Sequence, residues 1–179
     1  HNCNPVNMLV LMNSPKYNWR YYAEGNAKTG KRKFYWPRGK TLGGSSAVNA
    51  MIYTRGHKSD FDHWAELGNK GWDFDSILPY YKKSELQHRG EDAYHSTQGT
   101  MDVIDPTFHF PASHAFVKAC TQAGIPHNKD INGENYEGVD FFQINQTPEG
   151  KRCHSSVSFL DPIKDRKNLT VINYAHIKK

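Results

Sequence analysis

The residues best suited to chemistry in this 179-residue chain gather in Arg38-Gly39-Lys40-Thr41-Leu42-Gly43-Gly44-Ser45-Ser46-Ala47-Val48-Asn49-Ala50-Met51. The glycine pair lets another group approach the main chain closely, and the serines can cap the helix expected from Ala47 to Ile52. Amides at a helix start, at the positive end of its dipole, attract an anion such as a phosphate. An ordinary glycine turn before a helix accounts for the same residues, so local chemistry leaves both readings open. The stretch is neither a Walker loop, because the Gly-Lys-Ser order is missing, nor a G-x-G-x-x-G fingerprint.

The other reactive residue types point to no metal site. Cys3, Cys120 and Cys153 lie far apart with no C-x-x-C pair, which predicts neither a disulfide framework nor a zinc site. His109 and His114 lack the i, i+4 spacing and the carboxylate of a helical metal motif. The segment Asp130-Ile131-Asn132-Gly133-Glu134-Asn135 starts like a calcium loop, but Asn135 stands where the turn needs glycine and the twelfth place is not acidic.

The elements that must position these residues can be read from periodicity and punctuation. Ser59 to Leu67 has a serine in capping position, an acid three places on and Gly68 as a stop, which predicts a short helix. A second helix is expected from about Asp75 to Glu85 with Pro79 near its first turn, and a third from about Ala112 to Ala123, ending at Gly124. Strand patterns appear at Thr100 to Ile104, Val139 to Thr147 and Leu169 to Ala175, the last rich in β-branched residues. The irregular alternation predicts a mixed α/β (α+β) domain.

Composition bounds the function classes. The chain is 37% hydrophobic and 13% aromatic, enough for a packed core. Lys and Arg outnumber Asp and Glu by 23 to 18, but the cations are scattered, and the densest run, Lys28 to Lys33, reads as a solvated loop. No nucleic-acid partner is expected. The longest apolar run, Met8 to Met12, falls far short of the ~20 residues of a membrane span. The sequons at Asn145 and Asn168 are too few among so many asparagines to carry a localisation.

A longer stretch narrows the reading. Trp36 to Gly56, followed by Asp60-Phe61-Asp62-His63-Trp64 and Gly71-Trp72, closely resembles the first signature of the glucose-methanol-choline (GMC) oxidoreductases. The resemblance continues through Leu78 to Glu85, Gly150-Lys151-Arg152 with Ser155-Ser156, and Arg166 to Ile177, and so covers nearly the whole chain in order. It implies part of an FAD-binding fold with part of the substrate-side domain. Residues of about 36–64 would contact FAD, about 65–165 would form substrate-side and connecting elements, and a strand at about 168–179 would return to the FAD domain.

The same resemblance implies roles for particular residues. Ser45 would lie near the FAD pyrophosphate and Asn49, Ala50 and Ile52 near the flavin ring, with Arg38, Leu42, Gly43, Gly44 and Met51 in the same cofactor-binding stretch. Ile177 would touch the adenine through its main chain. Some family members attach FAD covalently through a histidine just before the asparagine; Val48 holds that place here, so non-covalent FAD is expected. The partners implied are a small-molecule alcohol, which gives a hydride to the flavin, and an electron acceptor.

Two departures from the family pattern matter. Ser96 replaces the glycine of a common Tyr-His-Gly sequence. The family's opening strand with its G-x-G-x-x-G turn, and its catalytic histidine near the far C-terminus, have no counterpart here, which implies an internal piece of a longer enzyme, inactive alone. His57, His63 and His95 are expected at the surface or capping helices, and no catalytic residue is assigned. A non-catalytic protein that keeps the fold, or a standalone flavin- or nucleotide-binding module, is the alternative.

Overall fold

The structure, a computed structural model, describes residues 8–177; Cys3 lies outside them. Helix α1 (Met8–Asn13) buries Leu11 and leads by a turn into strand β1 (Tyr21–Glu24), which pairs antiparallel with β2 (Lys33–Trp36). Tyr22 stands opposite Tyr35 with ring centroids 5.3 Å apart, a cross-strand aromatic pair that stabilises the hairpin. Its tip is a 3-10 turn, Ala27–Thr29, in which Asn26 accepts the Thr29 N–H and Gly30 closes at φ 66°. The basic run Lys28 to Lys33 therefore surrounds a solvated tip, as expected, while the flanking strands are an addition to the sequence reading.

Helices α2 (Lys58–Glu66) and α3 (Phe74–Ser84) form a pair around Phe61, whose ring lies 6.3 Å from Phe74 and 6.1 Å from Tyr81. Both fall within a residue of expectation, but their caps differ. The N-cap of α2 is His57, whose ring accepts the Ser59 N–H, and not Ser59, and Asp73 accepts the Ser76 N–H of α3 at 2.9 Å. Pro79 sits inside α3 instead of in its first turn, where its missing N–H removes one helical hydrogen bond. Helix α4 (Pro111–Gln122) begins on its proline and gives way to Gly124 at φ +91°.

Strand β3 (Glu85–Gln87) leaves α3 directly and runs parallel to β4 (Met101–Val103). Ile144 bridges both Ile104, next to β4, and Ile52, so one residue ties the small sheet to the opening stretch. The strand expected at 139–147 is thus reduced to single bridges at Val139, Ile144 and Gln146. No strand forms over 169–175. Tyr174 adopts φ 59°, outside extended geometry, and a β-branched pattern cannot hold a strand without a ladder partner for its amides. The observed architecture is mixed α and β, with Val103, Ile104 and Cys153 buried, as are Ala47 and Val48 of the opening stretch. Among the described residues no helix is long and apolar enough to cross a membrane.

Candidate functional site

The stretch from Arg38 to Ile52 forms a turn held from two sides. From the N-terminal side, buried Asn18 accepts the Arg38 N–H at 3.0 Å and the Arg20 N–H at 2.8 Å through its carbonyl oxygen. Its amide donates to the Tyr35 hydroxyl and the Met12 carbonyl, so one side chain joins α1, β2 and the start of the turn. Gly39 donates its N–H to Ser45 Oγ at 3.3 Å, and any Cβ on Gly39 would strike the Gly44 carbonyl. The close-approach glycine is therefore Gly39 as much as the pair that follows it.

Gly43 and Gly44 both take left-handed conformations, φ 85° and 54°, that favour glycine. A Cβ on Gly43 would lie 2.6 Å from His154 Nδ1, whereas one on Gly44 would meet no protein atom within 4 Å. Gly43 thus serves internal packing, whereas Gly44, its N–H taken by the Thr41 carbonyl at 2.9 Å, leaves open space on the side where a Cβ would stand. Ser46 Oγ donates to the Gly43 carbonyl at 2.5 Å and accepts the Ser155 N–H at 3.0 Å, and Ser155 Oγ donates to that carbonyl at 3.2 Å.

From beneath, the turn rests on Arg152, a fully buried side chain. Its Nη1 donates to the Asn49 carbonyl at 2.8 Å and to Asn49 Oδ1 at 2.9 Å, with the Ser46 carbonyl at 3.3 Å. Beside it His154 is buried too, and burial together with the Arg152 charge pushes its imidazole down toward the neutral form.

The helix expected from Ala47 to Ile52 does not form. One 3-10 turn, Gly44–Ala47, is followed by Val48 at φ −131° and Met51 at φ 64°. The physical reason lies in Asn49: its side chain accepts the Met51 N–H at 3.0 Å and its carbonyl is taken by Arg152, so the bonds of a helical turn are replaced locally. A four-residue turn has no helix dipole to hold an anion.

Arg38, Leu42, Ser45, Asn49, Ala50 and Ile52 are exposed, with Gly43, Gly44 and Met51 half-buried, and all belong to this one turn. The Arg38 guanidinium lies over the Trp36 ring at 5.1 Å. Ile177 is exposed and in no strand, but its neighbour His176 meets Trp19 at 4.9 Å, and Lys40 also covers Trp19 at 4.7 Å. The tail therefore returns beside the start of the turn.

A second polar cluster, unforeseen in the sequence, braces the far end of the same stretch. Arg55 is buried against Glu85 at 3.0 Å, gives its Nη1 to the Tyr94 carbonyl at 2.8 Å and receives support for its main-chain N–H from Asn132. His95 lies between Glu85 at 3.0 Å and Asp130 at 2.8 Å. Burial works against its charge, but the hydrogen bonds and charges of Asp130 and Glu85 prevail and lift its pKa to about 9. His95 is thus a buried cationic link and not a surface or capping group, whereas His57 does cap α2 and His63 is exposed. Burial raises the Tyr53 phenol to about 12, against the pull of Arg55. Asp92, His95 and Asp130 bring possible metal-ligand atoms within 4.8 Å of one another, but Asp92 accepts the Tyr94 and His95 amides and His95 is held by two carboxylates. The segment that begins like a calcium loop instead supplies Asp130 to His95 and Asn132 to Arg55.

The family model described as GMC oxidoreductase matches residues 20–179. The chain is 40% identical over 176 residues to an alcohol dehydrogenase [acceptor] of Pseudomonas putida, covering 98% of this chain and 32% of that protein. It is 39% identical to an oxygen-dependent choline dehydrogenase of Sinorhizobium medicae, over 94% of this chain and 30% of the relative. Among solved structures it superposes on pyridoxine 4-oxidase from Mesorbium loti with a TM-score of 0.86 at 31% identity, covering 94% of this chain and 33% of the other. An FAD-dependent oxidoreductase from Chaetomium thermophilum gives a TM-score of 0.79 at 27% identity, over 87% and 29% of the two chains. The chain spans about a third of the length of the curated relatives it matches.

Proposed function

The chain belongs to the GMC oxidoreductase family, and on that footing we propose that it forms one wall of the FAD site in a longer enzyme that oxidises the CH–OH group of an alcohol. The observation that carries this reading is the turn from Gly43 to Ile52: the Cα of Gly44, whose N–H is taken by the Thr41 carbonyl, has no protein atom within 4 Å of where a Cβ would stand, and Asn49, Ala50 and Ile52 of the same turn are exposed. Ser45 and Gly44 would face the pyrophosphate, Asn49, Ala50, Met51 and Ile52 the flavin, and Arg38, Leu42 and Gly43 would complete the wall. The charges of Arg38 and Lys40 suit a dianionic pyrophosphate without a helix dipole. Ile177 would reach the adenine, which the return of His176 to Trp19 favours.

FAD, when bound, supplies the acceptor for a hydride from the substrate carbon. This chain's part is to bind and orient: none of its histidines is offered as the base, since His95 is held between two carboxylates and His154 lies under the turn. Val48 has no nucleophilic atom and is buried, which favours FAD held without a covalent bond. The exposed Trp64, Leu67, Trp72 and Tyr80 make an apolar surface of the kind that further parts of an enzyme cover. Residues of about 36–64 would contact FAD, about 65–165 would form substrate-side and connecting elements, and about 168–179 would return to the FAD domain. The test is anaerobic mixing of the complete purified enzyme with alcohols of varied class. Bleaching of the flavin band by one of them is expected; a flavin band that no alcohol bleaches would favour a non-catalytic binding protein.

A further inference from the structure

Arg152 occupies a position that the cofactor-facing residues do not explain by themselves. Arginine carries only N–H donors, and so does the Met51 main-chain nitrogen; both point at the same atom of the Asn49 side chain, at 2.9 and 3.0 Å. That atom must be the carbonyl oxygen, because an amide nitrogen there would face two donors. With the oxygen turned inward, the two donors of Nδ2 point away from Arg152, on an exposed residue, and among the described residues they bond to nothing. A second contact of the same Nη1, to the Asn49 carbonyl at 2.8 Å, fixes the main chain that carries this amide. The guanidinium is buried, so water does not compete for these bonds.

We infer that Arg152 is a positioning residue, which holds the Asn49 amide in one of its two orientations and so aims its N–H donors at the cofactor. This inference rests on the reading of the Gly43 to Ile52 turn as the FAD wall. The ligand chemistry it implies is an acceptor atom, a ring nitrogen or carbonyl oxygen of the flavin, on the outer side of Asn49. Loss of such a donor weakens the more electron-rich, reduced flavin more than the oxidised form, so it registers in the redox potential as well as in affinity.

The experiment is a double-mutant cycle on the complete holoenzyme with Arg152→Met, Arg152→Lys and Asn49→Ala, read by FAD dissociation constant and flavin midpoint potential. Arg152→Met and Asn49→Ala are each expected to favour oxidised over reduced flavin by about tenfold, which lowers a two-electron potential by about 30 mV. The Arg152→Met/Asn49→Ala pair should add less than twofold to either alone, because both act through one amide. Arg152→Lys, which keeps the charge and can reach one acceptor, should recover part of the shift. Independent effects that multiply to about a hundredfold, or an unchanged potential in Arg152→Met, would overturn the inference. Should Arg152→Met yield no folded holoenzyme, the same cycle with Arg152→Lys decides by the same criterion. A wild-type enzyme that carries no FAD would overturn the reading of the site, and this inference with it, whereas intact flavin with independent effects overturns the inference alone.

Discussion

Replacing Gly43 with alanine separates what the glycine pair does for packing from what it does for a ligand. At φ 85° an alanine carries a left-handed penalty of about 1–2 kcal/mol. Its Cβ would also stand 2.6 Å from Nδ1 of the buried His154 ring, and overpacking of that kind costs about 1–3 kcal/mol. The sum is about 2–5 kcal/mol of lost stability. Gly44→Ala meets no atom within 4 Å and bears only the backbone term at φ 54°, about 1–2 kcal/mol. Urea denaturation of the two variants of the complete enzyme without FAD, followed by tryptophan fluorescence, measures the difference. Gly43→Ala should unfold at clearly lower urea than Gly44→Ala; equal midpoints, or Gly43→Ala within about 0.5 kcal/mol of wild type, would refute the claim that His154 closes the space behind the turn.

Two further outcomes follow from the buried chemistry and from Val48. The His95 pKa is raised in the folded state from 6.5 to about 9, so its stabilising charge is fully present below about pH 6.5 and is lost as pH rises through 9. Stability should therefore decline between those values, and His95→Gln should flatten that part of a pH–stability profile; an unaltered slope would mean that His95 is not the titrating link between Glu85 and Asp130. Acid precipitation of the complete enzyme should release all flavin into the supernatant, because Val48 offers no atom for a bond; flavin fluorescence that stays with the denatured band on a gel would place an attachment elsewhere.

The helices were legible because their signals are local: Gly68 and Gly124 as stops and apolar positions at helical spacing located α2 and α4 within a residue. Their caps were less so, since the side chain that reaches a free amide depends on the entering backbone, and His57 stands at the N-cap of α2 and takes the Ser59 N–H. The hairpin of β1 and β2 escaped notice because charges at its tip dominate the composition there, although the aromatic runs at Tyr21-Tyr22 and Phe34-Tyr35-Trp36 were the available signal. The strand expected at 169–175 failed for the opposite reason: β-branched residues favour extended structure only where a partner ladder exists, and Ile172 stays 75% exposed. At the site, the glycine–serine turn could be read locally, but the helix after it could not be excluded without Arg152, which lies 103 residues from Asn49 in sequence. The Arg55, Glu85, His95 and Asp130 network is likewise assembled only by folding, since each member alone reads as a surface charge.

The central claim is that the turn at Gly43 to Ile52 bears FAD, and the visible spectrum of the complete enzyme with Gly44→Val tests it most directly. A valine at Gly44 would meet no protein atom at its Cβ and would bear the left-handed backbone penalty at φ 54°, at least the about 1–2 kcal/mol of an alanine there, which is within the stability of a folded domain, so the protein should still fold. The account predicts stoichiometric flavin bands in the wild type and colourless, folded protein in the variant. Full flavin occupancy in folded Gly44→Val would contradict it.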